Sequence, residues 1–311
     1  MIEAEKLDKY YGNFQALKEV SFKVEKGEIV GFLGPNGAGK TTTMRILTGF
    51  IPPGSGTVRV AGFDIQTQSI EVRRRIGYLP ESVPLYKEMT VTAFLRFLAT
   101  IRGMTGPRRE NRIKEIIHTC RLDDYSTSPI ARLSKGYRQL VGIAQAIIHE
   151  PEVLILDEPT IGIDPRQVVQ VRRLIQELGQ DHTIILSSHI LPEVSLVCDR
   201  IIVMDRGKIV AMDRPEKMSA GFGGVRHYEI EAAGSKEKIL ARLKGVRGVV
   251  RIEVKDEGQT KRYWVESRPG LDIRDALASA VKDGGFRLLG LKSQEMSLED
   301  IFLKLTASEE E

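Results

Sequence analysis

Two hydrophobic patterns alternate along the first part of the chain. Short, almost wholly apolar runs such as 28–33 and 153–156 are rich in strand-forming residues and have the length of buried strands. Between these runs, apolar residues recur with a helical period. Because a strand that is apolar on both faces is typical of the centre of a parallel sheet, the pattern predicts an α/β fold. Predicted strands cover 20–24, 28–33, 57–61, 153–156, 183–186, 200–204 and 208–211, and predicted helices cover 42–48 and 168–178.

Residues 87–150 follow the helical period almost throughout. Ile113, Ile116, Ile117 and Cys120 fall at positions i, i+3, i+4 and i+7, which places them on one face of a helix. Further helices are predicted at 90–102 and 136–149. We therefore expect a helical subdomain inserted into a single α/β domain that spans 1–219.

A segment rich in glycine and small residues, 220–227, predicts a linker to a second domain at 228–311. Beyond it the patterns predict the order β-α-β-β-α-β, the split ferredoxin-like arrangement. A last helix is predicted at 298–305. The core of this small domain is predicted from its apolar residues Leu240, Leu243, Val249, Ile252, Leu277, Leu288 and Leu289.

Composition is that of a globular protein. Of the 311 residues, 41% are hydrophobic and 28% are charged, and no apolar run approaches the ~18–20 residues that a membrane-spanning helix needs. The start of the chain lacks the pattern of a signal peptide. Cys120 and Cys198 lie in apolar surroundings, so we expect free, buried thiols in a reducing compartment. No aromatic residues are interleaved with the short arginine clusters, so no nucleic-acid partner is expected despite the net charge of +4.

The sequence GPNGAGKT at 34–41 joins a predicted strand to a predicted helix. Gly34, Gly37 and Gly39 allow backbone conformations that a side chain forbids, so that main-chain N–H groups can face inward around an anion. The N-terminus of the following helix adds partial positive charge. Lys40 can reach phosphate oxygens, and the Thr41 hydroxyl can bind a magnesium ion. The alternative is a flexible turn before a helix, but the spacing G-x-x-x-x-G-K-T in this context favours phosphate binding.

Two adjacent carboxylates, Asp157 and Glu158, follow the apolar strand 153–156. At the end of such a strand, in a chain with a phosphate loop, Asp157 is placed to hold magnesium, usually through water. Glu158 is the candidate for polarising an attacking water molecule. The alternative interpretation is an acidic pair that caps a strand at the surface.

Two further segments carry polar residues in less specific patterns. Ser134 is a suitable N-cap for the helix that follows it, and Gly136 allows close approach of the backbone, but an ordinary helix start explains both. His189 follows a buried strand at the position where α/β sheets bind ligands, although a lone histidine is more often structural.

Taken in order, these motifs resemble those of the nucleotide-binding subunits of ABC transporters, over residues 1–220. The matches are Tyr11 for the aromatic residue that stacks on adenine, 34–41 for Walker A, 76–81 for the glutamine loop, 133–137 for the LSGGQ signature, 154–158 for Walker B, 161–164 for the D-loop and His189 for the switch histidine.

The resemblance implies a P-loop ATPase fold that binds ATP and Mg²⁺. It implies catalytic roles for Glu158, His189 and Lys40, and metal contacts from Thr41, Glu81 and Asp157. The nucleotide contacts that it implies are Tyr11, Gly34, Asn36, Gly37, Ala38, Gly39, Lys40, Thr41, Thr42, Ser134, Gly136 and Asp164.

The resemblance also implies a homodimer with two-fold symmetry. ATP on the Walker A motif of one copy is closed over by Ser134 and Gly136 of the second copy, and hydrolysis opens the pair. The helical subdomain then passes this motion to a transmembrane permease.

Four positions depart from the usual motifs: Glu81 replaces glutamine, Lys135 glycine, Tyr137 glutamine and Ile161 serine. Glu81 can still bind magnesium, with an added charge. Ile161 lacks a hydroxyl at a position where two subunits meet. We expect the changes at Glu81 and Ile161 to affect turnover more than nucleotide binding.

The residues at 78–81 and 297–302 resemble an exporter branch whose permease is a separate chain. We therefore expect a peripheral ATPase subunit at the cytoplasmic face of the inner (cell) membrane. The alternative is a soluble ABC-type ATPase that acts on a ribosome or DNA, against which stand the single nucleotide domain and the absence of a long heptad insert. The second domain is expected to stabilise the dimer or to dock a partner, with ligand sensing as the alternative. Cargo contacts are expected on the permease, so this chain does not identify the cargo.

Overall fold

Two structural units follow one another along the chain in the computed structural model, Met1–Asp213 and Arg214–Glu311. The structure describes residues 1–222, 226–257, 260–268 and 271–295. In the segment predicted as a linker, 220–227, a helix continues to Phe222 and a strand begins at Arg226. Regular elements therefore extend into both ends of that segment.

The first unit alternates strands and helices. Its strands are β1 (Ile2–Tyr11), β2 (Phe14–Val24), β3 (Ile29–Leu33), β4 (Ser55–Val60), β5 (Phe63–Asp64), β6 (Ile76–Leu79), β7 (Val153–Leu156), β8 (Thr183–Ser188), β9 (Arg200–Asp205) and β10 (Lys208–Asp213). Its helices are α1 (Lys40–Leu47), α2 (Ser69–Arg75), α3 (Val91–Ile101), α4 (Gly106–Thr119), α5 (Lys135–Ile147), α6 (Pro165–Leu178) and α7 (Leu191–Ser195), with two 3-10 helices at Asp123–Tyr125 and Ile130–Arg132. Each strand and helix predicted for this unit is present, and β1, β5, β6, α2 and α7 are additional.

A six-stranded sheet forms the centre of this unit, in the order β10-β9-β3-β8-β7-β6. All neighbouring strands are parallel except β10 and β9. Every residue of β3, β7 and β8 is buried, as expected for strands that are covered on both faces. The predicted α/β fold with a parallel sheet is therefore confirmed.

A second sheet, antiparallel and in the order β2-β1-β4-β5, shares a hydrophobic core with the first. Phe22 of β2 meets Phe32 of β3 edge to face, with the ring centroids 5.0 Å apart. Strand β1 was not predicted because the alternation of apolar and polar residues along it breaks at Lys6, whose φ of 48° lies in the left-handed region. The period-2 signal is lost at that residue.

Helices α3, α4 and α5 lie within 87–150, and α3 packs against both α4 and α5. The assignment of this region as a separate helical subdomain stays a prediction. The apolar stripe on α4, from Ile113 to Cys120, is buried as predicted. Cys198 is also buried, and both cysteines are free. In the part of the chain that the structure describes, no helix combines the length and the apolar character needed to span a membrane.

The second unit follows the predicted element order. Its elements are α8 (Pro215–Phe222), β11 (Arg226–Ala233), α9 (Lys236–Lys244), β12 (Val249–Glu257), β13 (Thr260–Ser267), α10 (Arg274–Lys282) and β14 (Arg287–Glu295). The strands form an antiparallel sheet in the order β12-β13-β11-β14. The ferredoxin-like assignment of this unit stays a prediction, and the predicted helix 298–305 lies outside the described residues.

The core of the second unit agrees with the prediction at all but one position. Leu243 and Leu277 are buried, and Leu240, Val249, Ile252 and Leu288 pack against them. Leu289, however, is 44% exposed. Leu288 pairs with Ala232 and Gly290 pairs with Glu231, so Leu289 is the extra residue of a β-bulge and is left out of the ladder.

Candidate functional site

The central sheet brings distant parts of the sequence together at one edge. Leu156 of β7 pairs with Leu186 of β8, and Leu33 of β3 pairs with Ser188 of β8. Strand β8 lies between β3 and β7, so the loops that follow all three strands begin side by side. This carboxyl edge is where parallel sheets bind their ligands.

The glycine-rich loop 34–39 connects β3 to α1, as predicted. Gly37 and Gly39 have φ angles of 83° and 105°, in the left-handed region that side chains disfavour. Gly34 differs from the prediction, because a Cβ atom there would lie 2.3 Å from the carbonyl oxygen of Met204. Close packing, and not its dihedral angles, therefore requires glycine at position 34.

Lys40 opens helix α1 and is only 5% exposed. Its ammonium group donates hydrogen bonds to the carbonyl oxygens of Gly34 and Pro35, at 2.7 and 3.2 Å. The same nitrogen lies 3.5 Å from Oε1 of Glu158. A buried cation is thus held between the loop and the predicted catalytic acid.

Asp157 is fully buried at the end of β7. Its Oδ1 atom accepts hydrogen bonds from the hydroxyls of Ser187, at 2.6 Å, and Thr41, at 3.2 Å. Its Oδ2 atom is buried and has no hydrogen-bond partner among the described residues. Burial raises the pKa of Asp157, while the hydrogen bonds from Ser187 and Thr41 lower it.

Glu158 is also buried, with 5% of its surface exposed. Its backbone N–H donates to the Ser187 hydroxyl at 2.9 Å, and its Oε2 atom lies 2.9 Å from Nδ1 of His189. The φ angle of Glu158 is 50°, a left-handed conformation that is uncommon for a residue with a side chain.

A cavity of about 330 Å³ collects most of the predicted site. The predicted site residues that line it are Tyr11, Asn36, Gly37, Ala38, Gly39, Lys40, Thr41, Thr42, Glu81 and Glu158. Four residues that were not predicted as site residues also line it, namely Phe14, Ala16, Pro35 and Ile161. Asp157 and His189 bond to lining residues, Thr41 and Glu158 respectively. The structure thus brings together the predicted catalytic and metal-binding residues.

Ser134, Gly136 and Asp164 lie in a second cluster that does not line this cavity. Gln167 connects them: its side-chain amide donates to Ser134 Oγ at 2.9 Å, and its backbone N–H donates to Asp164 Oδ1 at 3.1 Å. A Cβ atom on Gly136 would come within van der Waals overlap of the Gln167 side chain. Within one chain, these three predicted nucleotide contacts therefore do not line the cavity that the other predicted contacts share.

Two of the unusual signature residues have defined neighbours in this region. A Cβ atom on Gly162, whose φ is 64°, would meet the Lys135 ammonium at 2.3 Å. The rings of Tyr137 and Tyr125 are 4.1 Å apart, and a hydrogen bond between their side chains raises the pKa of Tyr137. Lys135 therefore extends along the loop that follows β7, and Tyr137 packs within the region 87–150.

Sequence reasoning missed three residues of these clusters, namely Ser187, Phe14 and Gln167. Ser187 bonds to both Asp157 and Glu158, and its position directly after a buried strand was the available signal. Phe14 is 63% exposed beside Tyr11, which is 46% exposed, so two aromatic rings border the cavity. Gln167 offered no signal, because its contacts depend on the packing of α5 against α6.

Comparisons with known proteins agree with this geometry. A family model described as ABC transporter matches residues 17–161. The chain is similar to the linearmycin resistance ATP-binding protein LnrL of Bacillus subtilis strain 168, with 32% identity over 307 residues that cover 98% of each protein. It is similar to the bacitracin transport ATP-binding protein BcrA of Bacillus licheniformis, with 33% identity over 310 residues, 98% of this chain and 97% of the relative. A solved structure of the ATP-binding subunit of an ABC transporter shares 31% identity and a TM-score of 0.65, over 72% of this chain and 93% of that chain.

Proposed function

Because the chain belongs to the family of ATP-binding subunits of ABC transporters, which are P-loop ATPases that bind ATP, we propose that it acts as a homodimer that powers export through a separate permease. The observation that carries this proposal is the convergence of Lys40, Asp157, Glu158 and His189 at one edge of the sheet. Two relatives are named for linearmycin resistance and bacitracin transport, which supports export as the direction.

The loop and its flanking aromatics are proposed to bind the nucleotide. Backbone N–H groups at 37–41 and the N-terminus of α1 offer partial positive charge to the phosphates. Lys40 would exchange its bonds to loop carbonyls for bonds to phosphate oxygens. Tyr11 and Phe14 border the cavity and are exposed enough to stack on a purine ring.

The acidic side of the cavity fits a magnesium ion. Magnesium prefers oxygen ligands, and the buried, unpartnered Oδ2 atom of Asp157 is such a group. Thr41, at the neighbouring Oδ1 atom, supplies a hydroxyl oxygen, and Glu81 lines the same cavity. When bound, the ion would neutralise charge on the phosphates. We propose that Thr41, Asp157 and Glu81 hold it, directly or through water.

Glu158 is proposed to orient and deprotonate the attacking water. Its Oε1 atom faces Lys40 and its Oε2 atom faces His189, so both carboxylate oxygens are fixed. Because a carboxylate only accepts, Nδ1 of His189 must donate in this contact. Nε2 can then donate to a phosphate oxygen only when the ring carries both protons. Proton transfer to Glu158 and stabilisation of phosphate charge by Lys40 would together lower the barrier.

The second cluster supports a dimeric site. Ser134 and Gly136 begin α5, a helix of 13 residues whose N-terminus carries positive potential, yet they do not line the nucleotide cavity of their own chain. We propose that in a two-fold dimer they close over ATP held by the other copy. Asp164, which caps α6, would lie at the same interface.

A groove in the first unit is proposed to receive the permease. Two adjoining cavities of about 400 and 510 Å³ share Phe50, Tyr78 and Gln145, and Phe50 is 72% exposed. Arg73 and Arg102 line the first cavity, which has no acidic lining among the described residues. An acidic segment of a permease loop would complement the first cavity and an apolar residue would pack on Phe50, whereas Glu81 and Asp157 line the second cavity. Through this groove, the chain would be held as a peripheral subunit at the cytoplasmic face of the cell membrane.

The proposal is tested by co-expressing the full chain with the product of any neighbouring reading frame whose sequence predicts six membrane-spanning helices. We expect the two to elute together in detergent and to hydrolyse ATP. Phe50→Asp should abolish co-elution, whereas Val210→Asp, on strand β10 and outside both cavities, should not. A chain that elutes alone and sediments with ribosomes or binds DNA would contradict the proposal.

A further inference from the structure

The carboxylate of Glu193, on helix α7, lies between the two loops that carry the catalytic pair. The Thr160 hydroxyl donates a short hydrogen bond to Oε2 of Glu193, and the Ser188 hydroxyl donates to the same atom at 3.3 Å. Thr160 comes two residues after Glu158, and Ser188 comes directly before His189. One acidic group therefore ties the segment after β7 to the segment after β8.

These hydrogen bonds are the main polar anchors of the carboxylate. Thr160 and Ser188 are 7% and 1% exposed, and Glu193 is half-buried. Glu193 forms no ion pair with any residue that the structure describes. A carboxylate that is partly removed from water depends on its hydrogen-bond donors, and bonds to a charged acceptor are stronger than bonds between neutral groups.

The hydroxyl of Ser188 also fixes the loop of His189. It accepts a hydrogen bond from the backbone N–H of Ile190 at 3.0 Å. The two residues that flank His189 are therefore bonded to each other. The N–H of Glu193 in turn donates to the carbonyl oxygen of Ile190 at 3.1 Å. The side chain of Glu193 thus bonds to the residue before His189, and its backbone bonds to the residue after His189.

The segment that carries Glu158 needs such support. Glu158 has the left-handed φ of 50°, and the hydrogen bond from the N–H of Ile161 to its carbonyl oxygen, at 3.2 Å, closes a tight turn. Thr160 lies inside this turn, and its side chain bonds to Glu193. A left-handed residue persists only where its surroundings hold it.

We propose that Glu193 is a positioning residue for hydrolysis, which holds segments 157–161 and 187–190 at a fixed separation so that His189 stays against Glu158. Glu193 does not line the nucleotide cavity, so it acts through these two residues and not on ATP. The inference rests on the proposed function, because the pair that it positions is the pair proposed to act on water.

The test compares steady-state ATP turnover of the full-length wild type with Glu193→Ala and Glu193→Gln. Since a small misplacement of catalytic groups slows chemistry strongly, we expect Glu193→Ala to lower kcat about tenfold or more, with KM for ATP changed less than about threefold. Glutamine keeps one acceptor oxygen for both hydroxyls, so Glu193→Gln should recover most of the activity. Glu177→Ala, at an exposed glutamate on α6, serves as the matched control.

Double variants separate positioning from general stability. Because one of the two residues that Glu193 positions is already gone, Glu193→Ala should cause a clearly smaller loss in a His189→Ala background than in the wild type. Thr160→Val, which keeps the shape of the side chain and loses the donor, should slow turnover by several-fold with KM unchanged. A full, additive loss in the His189→Ala background, or unchanged kcat in both Glu193→Ala and Thr160→Val, would overturn the inference.

The proposed function fails in a different way. It would fail if the wild type did not hydrolyse ATP, or if Glu158→Gln turned over as the wild type does. If the wild type is active, Glu158→Gln is inactive and the Glu193 variants behave additively, only the role of Glu193 is wrong.

Discussion

Nδ1 of His189 lies 2.9 Å from Oε2 of Glu158, and this contact joins the segments that follow two neighbouring parallel strands, β7 and β8. The other carboxylate oxygen of Glu158 faces Lys40. The acid is therefore held between a residue of the phosphate loop and a residue of the β8 segment. Under the proposed function both neighbours also contact the bound phosphate, so that a change at the phosphate would be communicated to the acid.

Replacement of His189 by alanine should slow ATP turnover with little change in nucleotide binding. The variant loses the donor that fixes Oε2 of Glu158, and we expect kcat to fall about 100-fold while ATP affinity stays within about threefold. Turnover by phosphate release and affinity by a fluorescent ATP analogue measure the two effects. Turnover close to that of the wild type would show that the contact is structural only.

Glu81→Gln should weaken the apparent affinity for magnesium. Glu81 lines the nucleotide cavity and its charge acts on Asp157, so its carboxylate adds negative charge at the proposed metal site. Since an amide lacks that charge, the magnesium concentration for half-maximal activity should rise about three- to tenfold. ATP binding should be nearly unchanged. Glu88→Gln is the control, and an unchanged magnesium dependence in Glu81→Gln would assign Glu81 a role in loop structure.

Removal of the second unit should leave nucleotide binding intact. The cavity residues and those that bond to them belong to the first unit, and the cores of the two units are separate clusters. A chain shortened to residues 1–222, which keeps α8 and lacks the rest of the second unit, should therefore bind ATP within about twofold of the full chain, while its ATP-dependent dimer becomes weaker. A folded short chain, checked by circular dichroism, that had lost ATP affinity would mean that the second unit shapes the site.

His149 should make stability depend on pH. Its Nε2 atom donates to the carbonyl oxygen of Ile76 at 3.0 Å, and its Nδ1 atom is buried without a hydrogen-bond partner among the described residues. Burial, with a smaller effect of Arg102, lowers the pKa of His149 from 6.5 to about 4. The folded protein thus binds fewer protons than the unfolded chain between pH 6.5 and 4.

The free energy of unfolding therefore has its full value above pH 6.5. It decreases by on the order of 2–3 kcal/mol as pH falls toward 4, because the unfolded chain takes up the proton first. Urea unfolding of the wild type and of His149→Gln at several pH values measures it. As pH falls from 6.5 to 4, the free energy of unfolding should decrease more for the wild type than for His149→Gln. A constant difference between the two proteins would show that His149 titrates alike in both states.

How much of the site is predictable from the sequence depends on how local each contact is. The loop 34–41 was predicted because its glycines, lysine and threonine act within one strand–turn–helix segment. The buried strands were predicted because their apolar runs need no partner to be recognised. The left-handed φ of Glu158 has no sequence signal, since only the surrounding structure imposes it.

The contact between Ser187 and Asp157 could not be predicted from local pattern. It joins residues 30 positions apart and depends on the register that pairs Leu156 with Leu186. The same limit applies to Thr160 and Glu193, which are 33 positions apart. Leu289 is apolar as the sequence shows, but the bulge that leaves it out of the ladder depends on the pairing of β14 with β11.

The most direct test of the account is the molar mass of Glu158→Gln in solution with Mg²⁺ and ATP, measured by light scattering after size exclusion. If ATP bridges two copies and Glu158 is needed to hydrolyse it, the variant should have twice the mass of one chain with ATP and the mass of one chain with ADP. Glu177→Gln, which leaves the site untouched, should hydrolyse its ATP and return to the single-chain mass. A Glu158→Gln protein that consumed ATP at the wild-type rate and showed the mass of one chain throughout would contradict the account.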